Sequence, residues 1–136
     1  MAFTVDTTVI DKIFKPEMLN FVASSASVNG ASDSCSFTLG SADDDVIVFV
    51  SNQTYVGGSV VEVEFSGGDF WASKKYNGDE LKVAPGMTAA YVIESAAVKG
   101  FDGKVTMSLK PVSASVSLGG LGVSVAVLEV RRTVNN

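Results

Sequence analysis

The sequence predicts an all-β fold, an antiparallel β-sandwich (Ig-like or jelly-roll-like) of seven to nine strands with a short, partly helical N-terminal arm. Three observations lead there. From about residue 34 onward, apolar and polar residues alternate with period two, as half-buried strands require. The alternating runs are short and punctuated by Gly, Asn and Asp clusters. No long stripe of helical period interrupts them.

The first thirty residues read differently. Val9, Ile10, Ile13 and Phe14 fit one face of a short helix, which Pro16 ends or restarts. Pro16 and Glu17 open a further turn carrying Met18, Phe21 and Val22. The stretch "ASSASVNGASDS" that follows is a small, polar connector. The division expected is therefore an arm and connector over 1–30 and a sandwich domain over 31–136. The arm has two placements open to it: packed back on its own sandwich, or reaching onto a neighbouring subunit.

The strands follow in order. "SCSFTL" sets Cys35, Phe37 and Leu39 against Ser34, Ser36 and Thr38. "VIVFV" at 46–50 is apolar at every position, the mark of a central strand or one covered on both faces. "VVEVEF" puts Val61, Val63 and Phe65 on one face and Glu62 and Glu64 on the other. "ELKV" and "AAYVIES" continue the set, then "VTMSLK" with Val105, Met107 and Leu109 on one side. "VSASVSL" alternates with serines, and "GVSVAVLEV" closes the series with β-branched residues. "SADDD", "VGGS", "YNGD", "APG", "FDG" and "GGLG" supply the turns; Asn-Gly and Asp-Gly suit tight hairpins because Gly accepts positive φ.

One link is long. Some fourteen residues separate "VEVEF" from "ELKV", and they carry Phe70 beside Trp71. The pair either caps an open end of the core or forms an aromatic anchor for a protein or a sugar ring, with Lys74, Lys75 and Tyr76 as its rim.

Composition then bounds function. A chain of 136 residues suits one domain. Apolar residues make up 46% and charged ones only 18%, against roughly 25% in ordinary soluble domains, so weakly charged surface favours assembly with other copies or a partner. The net charge of −5 argues against a phosphate-tracking groove, which needs clustered Lys and Arg, so no nucleic acid is expected as a partner. No run approaches the ~20 apolar residues of a membrane-spanning helix, and the start lacks the pattern of a secretory signal.

The chain has no histidine and one cysteine. That removes the usual general base, every triad built on it, an intrachain disulfide and a thiolate zinc site. Neither a catalytic residue, a cofactor nor a metal is expected. Cys35, set among Phe37 and Leu39, reads as a buried, inert thiol. Asp43, Asp44 and Asp45 offer oxygens to calcium but lack the spacing of a calcium loop, and read as a solvated turn. "NQT" at 52–54 matches a glycosylation acceptor without the secretory context that would use it. Glu62 and Glu64 stand on one strand face without a cleft and read as solvated residues rather than a hydrolytic pair. Gly119, Gly120 and Gly122 have no Gly-Lys-Ser after them and read as a hairpin turn, not a phosphate loop.

From Asp43 to Arg132, about two thirds of the chain, the order of motifs carries a resemblance. It runs "DDDVIVFVSNQT", "VEVEFSGGD", "NGDELKVAPGMTAAYVIESAAVK", "DGKVTMSL" and "VSVAVLEVRR". This resembles the small structural proteins of tailed-bacteriophage heads, the capsid decoration (cementing) and minor head proteins. These share an acidic turn into a strand ending in Asn, a Gly-rich link and a closing "VAVLEL". Met87 stands where that pattern often has Lys. The shared motifs are turn and strand signals, so the resemblance implies no site residues. It implies a non-enzymatic virion protein, made in the host cytoplasm, whose partners are the major capsid protein, other virion proteins or further copies of itself. On that reading Val9, Ile10, Ile13, Phe14, Phe70, Trp71 and Tyr76 are the contact residues, and removal of 2–22 leaves a folded domain that binds particles less well. Two alternatives stand beside it: a carbohydrate-binding or adhesin-like sandwich using Trp71 with Tyr76 or Phe70, and a component of a phage tail or fibre.

Overall fold

The computed structural model describes residues 2–12, 15–40, 45–68, 75–78, 81–94 and 98–131. Ile13, Phe14, Phe70, Trp71, Lys74 and the aspartates at 43 and 44 lie outside them. The described residues form nine strands and one short helix in two facing sheets. In chain order these are β1 (Ala2–Thr4), β2 (Thr8–Ile10), β3 (Val22–Ala23), β4 (Asp33–Thr38), β5 (Asp45–Asn52), β6 (Val61–Phe65), β7 (Thr88–Ile93), β8 (Lys104–Pro111), α1 (Leu118–Leu121) and β9 (Val123–Val130).

One sheet has the order β1-β4-β8-β6 and the other β2-β9-β5-β7, with β3 also pairing with β9. The all-β sandwich is as the sequence predicts, but the sheets are mixed. β1 joins β4 and β2 joins β9 in parallel, while the remaining ladders are antiparallel.

Alternation sorts each strand between core and surface. Cys35, Phe37, Val61, Val63, Phe65, Val105, Met107 and Leu109 point inward from the first sheet and meet Val46, Val48, Val50, Val123, Val125 and Val127 from the second. Phe65 and Tyr91 bridge the layers edge to face, ring centroids 5.9 Å apart. β-branched Val dominates because it packs well on a pleated surface with little rotamer freedom to lose.

Of "ELKV", read as a strand, the described residues keep only the isolated bridge of Val83 to Val61, and three further expectations are corrected. The arm is not helical where it is described: Val9 and Ile10 lie in β2 along Glu129 and Val130, and Val22 lies in β3 opposite Val125. The physical reason is tertiary. β9 has eight residues of edge backbone to satisfy, and the β-branched arm residues supply its partners on the side away from β5. Second, "VSASVSL" is no strand. Ser113 and Ser115 hydroxyls bond one another at 2.8 Å, and the Ser113 N–H donates to Ser59 Oγ at 2.9 Å, so local side-chain bonds replace a ladder. Third, the glycines at 119–122 build α1 rather than a hairpin. Ser117 caps it by accepting the Gly120 N–H at 3.0 Å, Gly122 ends it at φ 73°, and Leu118 and Leu121 enter the core.

Connectivity explains the turns. From β4 onward each strand lies in the opposite sheet from the one before it. The Gly-rich turns therefore arch between layers, and no two consecutive strands of this series pair directly. Gly58 shows how tight such an arch is, since a Cβ there would stand 2.0 Å from the Thr54 carbonyl oxygen.

Candidate functional site: two unlike sheet faces

Across β4, β8 and β6 the outward face of the first sheet is polar. β4 contributes Ser34, Ser36 and Thr38, set against Ser108, Thr106 and Lys104 of β8. β6 adds Glu62 opposite Lys110 and Glu64 opposite Ser108. Lys82 lies 3.9 Å from Glu62 and Lys75 3.2 Å from Glu64, exposed pairs worth a few tenths of a kcal/mol up to about 1. These carboxylates are solvated strand residues as the sequence suggests, but they are not without a hollow: both line an open depression of about 350 Å³ with Asn77, Lys82, Ser108 and Lys110.

The outward face of the second sheet is the opposite. Because Val46, Val48 and Val50 point inward, Ile47 and Phe49 point out; the same parity turns Ala90 and Val92 of β7, and Ala126 and Leu128 of β9, to that side. The ladders align them in rows. Val92, Ile47 and Leu128 lie side by side, then Ala90, Phe49 and Ala126, then the hydroxyl row Thr88, Ser51 and Ser124. Val92 is 79% exposed and Ala90 is exposed, Ile47, Phe49 and Leu128 are half-buried, Ala126, Ser51 and Ser124 are buried, and no charge enters the first two rows. Ile10 extends the patch at β2, beside Val130. The exposed Met18 and Phe21 belong to the β2–β3 connector, whose Met18 carbonyl accepts from Thr8 Oγ1 at 3.4 Å.

These outward residues were missed by sequence reasoning, although their signal was present. "VIVFV" is apolar at both parities, which reads as burial on both sides. Only the inner side is covered by the opposite sheet.

The residues first singled out fall in different places. Val9 and Ile10 are half-buried in the second sheet. Tyr76 exchanges both backbone hydrogen bonds with Phe65, at 2.8 and 2.9 Å, and packs partly buried on the core. Ile13, Phe14, Phe70 and Trp71 are outside the described residues.

Beside Tyr76 an open groove of about 450 Å³ runs along β7, between Phe65, Leu81, Tyr91 and Val98. Its lining is mixed, with Tyr76, Tyr91 and Glu94 beside the apolar residues. The Tyr91 hydroxyl donates to the Leu81 carbonyl at 2.5 Å, and burial pushes its pKa up to about 12.

Buried polar groups serve the fold. Ser24 Oγ donates to Asp33 Oδ2 at 2.6 Å, and Asn52 Nδ2 donates to the Ser59 and Val83 carbonyls at 2.8 and 3.2 Å. Among the described residues no three His, Cys, Asp or Glu side chains gather as a metal site, and no helix is long and apolar enough to cross a membrane.

Cys35 is fully buried, and burial, assisted by the Asp33 carboxylate, pushes its thiol pKa up to about 12 from 9.0. Folded chain is expected to resist a thiol reagent at pH 8, while denatured chain reacts with one equivalent; prompt labelling of folded chain contradicts the burial. Above pH 9 the unfolded thiol ionises and the folded one does not, so stability falls with rising pH until about pH 12. A single such group contributes at most about 1.4 kcal/mol per pH unit, and Cys35→Ala is expected to flatten the slope.

Comparison with protein-family models, with curated proteins and with solved structures returned no match.

Proposed function

We propose that the chain is a non-enzymatic structural protein of a virion, a decoration protein that docks on the assembled head of a tailed bacteriophage and stabilises it by protein–protein contacts. The observation that carries this is the contrast between its sheet faces. Ile47, Phe49, Ala90, Val92 and Leu128 make one face apolar, while Ser, Thr, Lys and Glu make the other polar. A rigid two-layer scaffold with one dry and one wet side suits a partner that is a surface rather than a small molecule. The dry side is the kind of patch that marks protein contacts in soluble chains. The motif order from Asp43 to Arg132 supports the same class, and the chain's chemistry, without histidine and poor in charge, accords with binding rather than bond-making.

The test uses virus-like particles assembled from the major capsid protein of the phage that encodes the chain. Ile47→Lys places a charge in the middle of the apolar face and is expected to lower particle occupancy at least tenfold in co-sedimentation. Thr106→Lys, on the polar face, is expected to leave occupancy unchanged. Thermal melts establish that both variants fold. Full occupancy with Ile47→Lys would refute docking through this face.

A further inference from the structure

We infer that β7 is a strand-addition edge through which two copies of this chain pair, antiparallel and two-fold symmetric, into one continuous sheet. This goes beyond docking on a shell and concerns the backbone of one strand, whose Ala90 and Val92 side chains also belong to the apolar face.

The direction of the free backbone groups follows from one hydrogen bond. The Asn52 N–H donates to the Met87 carbonyl at 2.9 Å, which makes Asn52 and Met87 a hydrogen-bonded pair in the β5–β7 register. Such pairs recur every second residue. Ala89, Tyr91 and Ile93 therefore turn their N–H and C=O toward β5, and Thr88, Ala90 and Val92 turn theirs away from the sheet. These three are the exposed residues of β7. Among the described residues nothing bonds to those outward groups.

The other edges differ. β6 is covered by the chain that follows it: Tyr76 bonds back to Phe65, and Val83 bonds Val61 in both directions at 2.9 and 3.0 Å. β1, β2 and β3 have only three, three and two residues. Among the described residues β7 alone offers a six-residue edge, "TAAYVI", with no charge and no proline. Proteins commonly guard such an edge with Lys, Pro or a bulge, and one left unguarded is a template for another strand.

The strand is its own best complement. With the two-fold axis at Ala90, Thr88 lies opposite the partner's Val92 and Ala90 opposite the partner's Ala90. Three N–H and three C=O groups per copy then form six hydrogen bonds across the axis. On the inner side Ala89 meets the partner's Tyr91, small against large. Glu94 falls opposite the partner's Gly86, so no like charges oppose one another. The apolar outer rows of the two copies run together into one sheet face. A contact of this length falls short of the roughly 800 Å² per partner of a standard stable interface, so pairing in free solution is weak and concentration-dependent. Copies held side by side on a surface pair readily, because linkage raises the effective concentration to roughly millimolar.

Sedimentation equilibrium of the full chain from about 10 μM to 1 mM provides the test. Weight-average mass is expected to rise from 14.1 kDa toward twice that value. Ala90→Lys and Ala90→Glu, both outward at the strand edge, should each weaken pairing at least tenfold. Mixed in equal amounts they should restore it, because at the axis the lysine meets the glutamate. A chain monomeric at 1 mM overturns the inference, and so does pairing that ignores both substitutions or a mixture that fails to recover. The two proposals fail separately: a monomeric chain that still coats particles removes only the edge pairing, and a pairing chain that leaves them bare removes only the docking.

Discussion

Glu129→Ala is expected to destabilise the protein by about 3–5 kcal/mol. Glu129 is 1% exposed and points inward from β9, among valines. Two donors converge on its carboxyl group from separate segments. Thr7 Oγ1 donates to Oε2 at 2.6 Å and the Gly40 N–H donates to Oε1 at 2.9 Å. The arm, the end of β4 and the last strand are thereby tied at one point. The site is crowded as well: a Cβ on Gly40 would stand 2.2 Å from Arg131 Nη2 and 4.0 Å from Glu129 Oε1. Alanine leaves both donors without an acceptor, at about 1–3 kcal/mol each, and opens a cavity beside Val127 and Val46. Glu129→Gln should be much milder, near 1 kcal/mol. Its amide oxygen can accept from Gly40, and the Thr7 hydroxyl can rotate to accept from its amide nitrogen. Urea denaturation of both variants separates the cases. Equal losses for Ala and Gln would mean that volume rather than hydrogen bonding holds the site.

Glu129 also marks what a sequence can and cannot disclose. In "VSVAVLEV" its parity places it with Val123, Val125 and Val127 on the inner side, so its burial was legible, but its partners sit 122 and 89 residues away. The core of β6 and β8 was read correctly because Val61, Val63, Phe65, Val105, Met107 and Leu109 alternate cleanly against charged or hydroxyl residues. Pairing was not legible. Asn-Gly and Asp-Gly describe a local backbone bend, and a bend serves an arch between layers as well as a hairpin within one. The arm was misread because Val9 and Ile10 satisfy helical spacing and strand propensity together, and the unpaired edge of β9 decided between them. The candidate docking face was hidden for a related reason. An apolar residue such as Ile47 or Phe49 looks the same in sequence whether its outer side meets protein or solvent.

Removing residues 2–10 is expected to cost more than any point substitution, and this reverses the expectation that the arm can be cut away to leave a folded domain. β1 runs beside β4, with Phe3 packed on the core, and the Val5 N–H donates to the Ser36 carbonyl at 2.9 Å. Val5 is 3% exposed, a burial worth about 1.5–3 kcal/mol. Thr7 supplies one of the two donors to Glu129, so its loss repeats part of the Glu129→Ala damage rather than adding to it. Ile10 accepts the Arg131 N–H at 2.8 Å, and β2 covers Leu128 to Val130 along β9. Without β1 and β2, the edges of β4 and of the second half of β9 are bare, and an apolar bare edge recruits other chains. The truncated chain should melt at least 15 °C lower, since each kcal/mol moves the midpoint of a domain this size by roughly 3–6 °C. It should also aggregate at concentrations where the full chain stays dispersed. A synthetic peptide of residues 2–10 added in excess should raise the midpoint again, because it binds only the folded form. A truncated chain melting within a few degrees of the full one would show that β1 and β2 contribute little, and that the sandwich stands on the remaining strands.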